Sequence, residues 1–448
     1  MSETMQGRPS WVFAALLVAS GLPAGAARSA EYAAEAYVSA RADSTSNLRY
    51  FRSNDDRVSS VSLVPGFRLS NLTESDGILL TGSLGGIHND TVSPRSRLDA
   101  FAGLTFRRSS ENEGVELSAS FTRDSTLAIR PADASTNGQA SQLVQTGQVF
   151  AYTQRTLASL LPSYTHRIDE RLTFGVTAGV QAARFQDTTI GLVDYDNLSL
   201  SPRLVFQQSE RASLVVTASE AWYRPRGVPN HSESSSVSLG ETVEMNERLT
   251  WNATLGGTRT QTYVGSQYQC LIPLLGAGGV PLLDGNSRPI VFAGRTQDCV
   301  ELGVPVTQVA SASDTTRNSV LYATGLQWRV NERNRLAFSA TRQVLPSPAG
   351  TTIDNRYLQA IYSHDFSAQL SGTLSAAQTA SRYTGAGVGW FEFRSLGASV
   401  HWTIDPWWSL DAGATWAQSV TSGYGGSPHA NLIFMQIRRD FTRVAVSR

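Results

Sequence analysis

Apolar and polar residues alternate strictly through Met245–Gly257, MNERLTWNATLGG. Leu249, Trp251, Ala253 and Leu255 fall on one face, and Thr250, Asn252 and Thr254 on the other. A period of two is the period of a β-strand. The run is launched by a tight polar turn, Asn246-Glu247-Arg248. The same unit returns at Ile168–Val180, Gln208–Glu220, Val330–Arg342 and Ile404–Trp416. Turn-plus-strand units repeated with no helical period between them predict an up-and-down antiparallel sheet.

Alternation and turn signals predict eighteen strands, over residues 33–43, 58–69, 78–88, 97–108, 115–126, 156–168, 172–186, 196–207, 213–224, 234–244, 249–263, 319–330, 335–344, 356–365, 369–382, 391–404, 409–421 and 431–441. The connections alternate in length. Asp169–Arg171, Asn246–Arg248, Asn331–Asn334 and Asp405–Trp407 are short. Segments 46–56, 130–153, 225–233 and 264–315 are long and rich in Gly, Ser and Pro. Short periplasmic turns on one rim and long extracellular loops on the other characterise a transmembrane β-barrel. A soluble propeller or solenoid predicts neither this alternation nor outward faces so apolar. The expected architecture is therefore an all-β, antiparallel barrel over residues 31–441, with a tail at 442–448. Eighteen strands leave a lumen too wide for side chains to fill.

Composition agrees. Hydrophobic residues make up 41% of the 448 and mean hydropathy is slightly negative, with no apolar run beyond residue 30 long enough for a membrane helix. A barrel escapes that limit because only alternate residues meet lipid. Net charge is zero, with every basic residue an Arg, so nothing draws the chain to nucleic acid. Arg8, the apolar run Trp11–Leu22 and the small residues Ala24-Gly25-Ala26 predict a signal peptide over 1–26, with cleavage as late as residue 30 as the other option. An outer-membrane location in a Gram-negative bacterium follows, with membrane lipid and lipopolysaccharide as the first expected partners.

Trp251, Trp328, Trp402, Trp407 and Trp408 all lie beside short turns. Amphipathic rings at a shared depth predict an aromatic girdle at the periplasmic interface, rather than core aromatics of a soluble sandwich. The terminal strand NLIFMQIRRDF ends on Phe441, like the assembly signal of outer-membrane barrels, but seven residues follow it.

Ser62-Leu63-Val64-Pro65, Ser159-Leu160-Leu161-Pro162 and Ser199-Leu200-Ser201-Pro202 form a second repeat. Because Pro cannot donate to a ladder, three of them at equivalent places predict a regular bulge or bend in the wall. This element, with the Asp/Asn-Glu-Arg-Leu-Thr turns, resembles a family of bacterial outer-membrane β-barrel porins, many encoded with exopolysaccharide synthesis and export genes. The resemblance covers most of residues 31–441. It implies passage of polysaccharide, and export-complex proteins as partners.

Catalytic chemistry finds little purchase. The chain has no HExxH, CxxC, GxSxG or Walker sequence, and its six His (88, 166, 231, 364, 401, 429) are scattered. Neither an enzyme nor a cofactor site is expected. The lumen is expected to carry Arg41, Arg68, Arg97, Arg107, Arg203, Arg329 and Arg438 together with Glu35, Asp99, Glu116 and Asp411. These residues make either a mildly basic pore or a set of paired, solvated charges. Cys270 and Cys299 fall in the 264–315 loop, where the oxidising periplasm favours a disulfide. The apolar stretch Leu271–Leu283 between them is expected either to narrow the barrel mouth or to cap the outer loops. The leading expectation is a porin-like channel for polar solute or polymer. The alternatives are a non-conducting barrel supporting an envelope secretion complex, and an enzyme at the outer rim.

Overall fold

A computed structural model describes residues 31–47, 57–90, 95–126, 153–186, 192–265, 267–273, 291–294, 307–310, 312–347, 351–383, 390–421 and 427–447. The candidate signal peptide, Cys299, the side chain of Cys270 and most of Leu271–Leu283 lie outside the described residues.

The strands are β1 (Glu31–Thr45), β2 (Val58–Leu72), β3 (Asp76–Asn89), β4 (Ser96–Ser109), β5 (Glu113–Ser125), β6 (Gln154–Arg167), β7 (Leu172–Phe185), β8 (Tyr195–Ser209), β9 (Ala212–Pro225), β10 (His231–Asn246), β11 (Leu249–Val264), β12 (Gln267–Pro273), β13 (Val291–Gly294), β14 (Thr307–Ala310), β15 (Ser313–Arg329), β16 (Asn334–Pro346), β17 (Thr352–Asp365), β18 (Leu370–Tyr383), β19 (Trp390–Thr403), β20 (Trp408–Thr421), β21 (His429–Asp440) and β22 (Val444–Ser447). β1 to β11 and β15 to β21 are the eighteen strands of a closed barrel. Each pairs antiparallel with its neighbour in sequence, and β21 returns to β1 through Tyr37↔Asp440 to Thr45↔Leu432. No helix among the described residues is long and apolar enough to cross a membrane.

The register fixes the barrel's size. Tracing opposed residues once around the ladder returns to β1 displaced by about 22 residues. With about 3.3 Å per residue and about 4.8 Å between strands, the strands tilt about 40° on a backbone cylinder about 18 Å in radius.

One local device builds the whole short-turn rim. Each of the eight turns opens on a residue whose side-chain oxygen accepts a backbone N–H two or three residues on. These residues are Thr73, Ser110, Asp169, Ser209, Asn246, Asn331, Ser367 and Asp405. Such side chains replace a backbone acceptor and hold the chain in a tight reversal.

Three expectations change. The prolines cause no bulge. Beside Pro65, Pro162 and Pro202 the ladder drops two residue pairs on one side and resumes in unchanged register. The missing N–H opens the ladder locally, and the strand on the other side stays paired, at Val38, Leu117 and Val176. Segment 264–315 is not all loop: β12 pairs with both β13 and β14 in a small sheet of its own, and β15 begins at Ser313. The tail is structured as well. β1 starts six residues before its ladder to β21 begins, and β22 covers that edge by pairing with Glu31–Ala34.

Candidate functional site

Directly opposed residues share a face, so the ladder assigns every barrel side chain to the inside or the outside. Val61, Leu63, Leu69, Leu98, Leu198, Val237, Leu255, Leu374, Leu396 and Ile433 all project outward and are exposed. Within about eight residues of the short turns the outward positions are mainly apolar, with Glu241 and Thr324 among the exceptions. Beyond that, towards the long loops, a polar collar begins with Arg123, Arg184, Arg259, Arg356 and Arg394. A closed ladder wrapped in such a band satisfies its backbone within lipid. The chain is an outer-membrane β-barrel.

Trp251, Trp328, Trp402 and Trp408 point outward within a turn's length of the short rim, and Trp407 lies in a turn. Trp251 Nε1 donates to Thr324 Oγ1 at 3.2 Å, and the Arg439 guanidinium stacks on Trp408. Phe106, Tyr164, Phe174, Phe206, Phe338 and Tyr362 occupy the same outward level on other strands. The Trp positions alone leave these out, although the alternation pattern contains them.

All eleven charged residues expected in the lumen face inward, but most are not free. Arg41 pairs with Asp43, Arg97 with Asp99, Arg438 with Asp440 and Arg443 with Glu35, and His401 Nδ1 lies 2.7 Å from Asp411 Oδ1. The Arg41 and Arg438 guanidiniums also lie over the rings of Phe434 and Tyr37. Tyr37 itself lies flat across Gly66 of β2, where an added Cβ would sit 2.3 Å from the ring. Arg68, Arg107, Arg203 and Arg329 are exposed and have no ion pair among the described residues. Arg203 lies across Gly175, whose missing side chain leaves room for it. Glu116 stands opposite Arg107 on the inner wall. The rest of the mid-lumen surface is mainly Ser, Thr, Gly and Gln, as on β11, where Thr250, Asn252, Thr254 and Gly256 line it.

The long-loop end of the lumen is different. Leu157, Ala183, Phe185, Tyr195 and Tyr223 face inward on β6 to β9 and form one buried apolar cluster with Leu192. Opposite them the wall forks. The β15–β16 ladder stops at Tyr322↔Arg342, yet β15 continues along β11 to Ser313 and β16 continues along β17 to Pro346. The freed β16–β17 end leans across the mouth. Tyr223, four strands away around the ring, donates its hydroxyl to the Ser347 carbonyl at 2.7 Å. Wall positions four strands apart are separated by about 23 Å on a cylinder of this size, so the contact requires the hairpin to leave the wall. Ser347, Thr352, Ile353, Asp354 and Asn355 are buried there. Asp354 latches the fork: it accepts from Arg342 at 2.8 and 3.0 Å and from Arg317, on the inner face of β15, at 3.4 Å. Nothing in the sequence flagged this latch.

Among the described residues no group of His, Cys, Asp and Glu could hold a metal. Thr403 Oγ1, His401 and Asp411 form a hydrogen-bonded row, which is what adjacent inward positions of two strands produce when their side chains pair.

No family model and no curated protein matches the sequence. Solved structures of similar shape include Pseudomonas aeruginosa OpdK with vanillate (TM-score 0.44, 11% identity, 92% of this chain and 99% of that one). They also include P. aeruginosa OccK2 (OpdF) in complex with glucuronate (0.46, 11%, 91% and 98%) and the open form of the ferric-catecholate import receptor Fiu from E. coli K12 (0.42, 9%, 93% and 82%). At that identity and looseness of superposition, the likeness carries no information on what passes through this chain.

Proposed function

We propose that the protein is a porin-like passive channel for polar solutes, with a mild preference for anions. One observation carries this reading: Arg68, Arg107, Arg203 and Arg329 project unpaired into a wide lumen otherwise lined by small polar residues and paired charges. Guanidinium groups without partners raise the local concentration of counter-ions, and a water-filled wall with few apolar side chains offers solutes no trap. The aromatic residues of the short rim anchor the barrel at the periplasmic interface. An extended polymer is a compatible cargo, given the width of the cylinder. Its identity as exopolysaccharide is supported by the sequence resemblance alone.

The second reading is a non-conducting interaction barrel within an envelope secretion complex. The hairpin across the mouth favours it. Planar-bilayer recording separates the two. The channel reading expects stepwise conductance, a reversal potential on the anion side in a salt gradient, and a shift towards neutrality when the four arginines are replaced by Gln. A folded barrel that never conducts would favour the second reading.

A further inference from the structure

The outward face is not uniform, and two depressions on it differ in charge. One, of about 720 Å³, crosses β16 to β21. Its floor is Ala360 opposite Ala376 and Ala398 opposite Ala414, small residues that leave a trough between Leu396, Trp416 and their neighbours. At its long-loop end stand three arginines of the outward face: Arg356, four residues from Ala360; Arg394, four from Ala398; and Arg382, six from Ala376. Four residues of strand are about 13 Å. Arg394 donates to Glu392 at 2.6 Å, whereas Arg356 and Arg382 are exposed and without ion pairs among the described residues. Asp354 stands opposite Arg382 and within the field of Arg356, but its carboxylate already accepts hydrogen bonds from Arg342 and Arg317, so one acid faces four guanidiniums. The second depression, of about 790 Å³ over β8 to β15, is lined by Glu220 and Arg259, with Arg224 and Glu233 beyond them on the same face, and so has no excess of either sign.

The geometry points to the first trough as a binding site for lipid A, the phosphorylated, multiply acylated glycolipid anchor of the outer leaflet. Acyl chains fit an Ala-floored trough inside the apolar band. Phosphates fit a pair of unpaired guanidiniums at the upper border of that band, where charge-assisted, bidentate contacts are available. Charge complementarity selects this trough over the neutral one. The inference rests on the outer-membrane reading but not on conductance.

The test is native mass spectrometry of LPS-free barrel refolded in detergent, titrated with bis-phosphorylated lipid A, with monophosphoryl lipid A and with phosphatidylglycerol. Wild-type protein should retain bis-phosphorylated lipid A in preference to the other two. Arg356→Gln with Arg382→Gln should bind it about tenfold more weakly, the scale expected for losing a charge-assisted contact. Ala398→Phe should weaken it by filling the trough, and Arg259→Gln should leave it unchanged. Heat-modifiable gel mobility confirms that each variant is folded. Equal retention by the double variant, or equal binding of phosphatidylglycerol, would overturn the site in favour of ordinary annular lipid. A failure of the channel reading would appear in bilayer recordings and leave this binding untouched.

Discussion

The two rims of the barrel are built on opposite principles. The short-turn rim repeats one device eight times, a Thr, Ser, Asp or Asn side chain capping a backbone N–H across the turn. Its outward positions are apolar and aromatic, and its inner face is open. Among the described residues the long-loop rim repeats no such device. It has a charged collar outside, a buried Leu–Tyr–Phe cluster inside, and a hairpin pulled from the wall by Asp354 and Tyr223. The first rim sets register and membrane position, tasks that are identical for every strand. The second shapes the mouth, which needs side chains from distant strands to meet. Local chemistry suffices for the former and cannot encode the latter.

The largest expected effect lies in the apolar band both rims share. Leu255 is outward and 64% exposed, while Thr254, one residue away, faces the lumen. Leu255→Arg should cost ~2–4 kcal/mol near the bilayer midplane and reduce the heat-modifiable, folded fraction. Thr254→Arg should assemble. Equal loss in both would break the assigned faces.

A smaller effect should appear at the latch. Asp354→Asn leaves Arg317 and Arg342 without a countercharge, costing about 1–3 kcal/mol locally. Because the cost falls on the hairpin, urea unfolding of the barrel should shift little while channel recordings show a higher and noisier open level. A quiet trace identical to wild type would place the hairpin outside the solute path. Tyr223→Phe removes one hydrogen bond to Ser347, worth about 1 kcal/mol, and should give a weaker form of the same noise. Hydrogen exchange at Ile353 and Asn355 should rise with it. Unaltered exchange would mean that this contact does not hold the hairpin.

The smallest change should come from the repeated rim. In Asp405→Ala two N–H groups, of Trp407 and Trp408, lose their acceptor at 2.7 and 2.9 Å. Water replaces it at this exposed turn, so the loss should be about 0.5–1 kcal/mol with conductance unchanged. A change in selectivity there would blur the division between the rims.

The legibility of the sequence follows the same division. The eighteen strands, their faces and the short turns were readable because alternation and turn chemistry are local, as in Asn331 and the run from Leu336 to Arg342. Arg41, Arg97 and Arg438 could be placed inward, but their pairing with Asp43, Asp99 and Asp440 follows from each acid standing two residues away on the same strand face. That spacing is legible in the sequence. The Arg317–Asp354–Arg342 latch was not readable. It joins three strands only because the β15–β16 ladder ends early, and no periodicity marks where a ladder stops. The Pro65, Pro162 and Pro202 repeat was visible, but whether a missing donor shifts the register depends on the partner strand.

Modification of the lumen wall tests the central claim, a continuous aqueous path along the inner face, most directly. In a Cys270→Ser, Cys299→Ser background, Arg203→Cys places a thiol at mid-wall and Leu255→Cys places one towards lipid. A bulky, membrane-impermeant anionic thiol reagent should lower the single-channel conductance of Arg203→Cys in discrete steps, from either side of the bilayer, and leave Leu255→Cys unchanged. Conductance through Arg203→Cys that is unaffected after complete labelling, or a thiol there that reacts from neither side, would contradict the account.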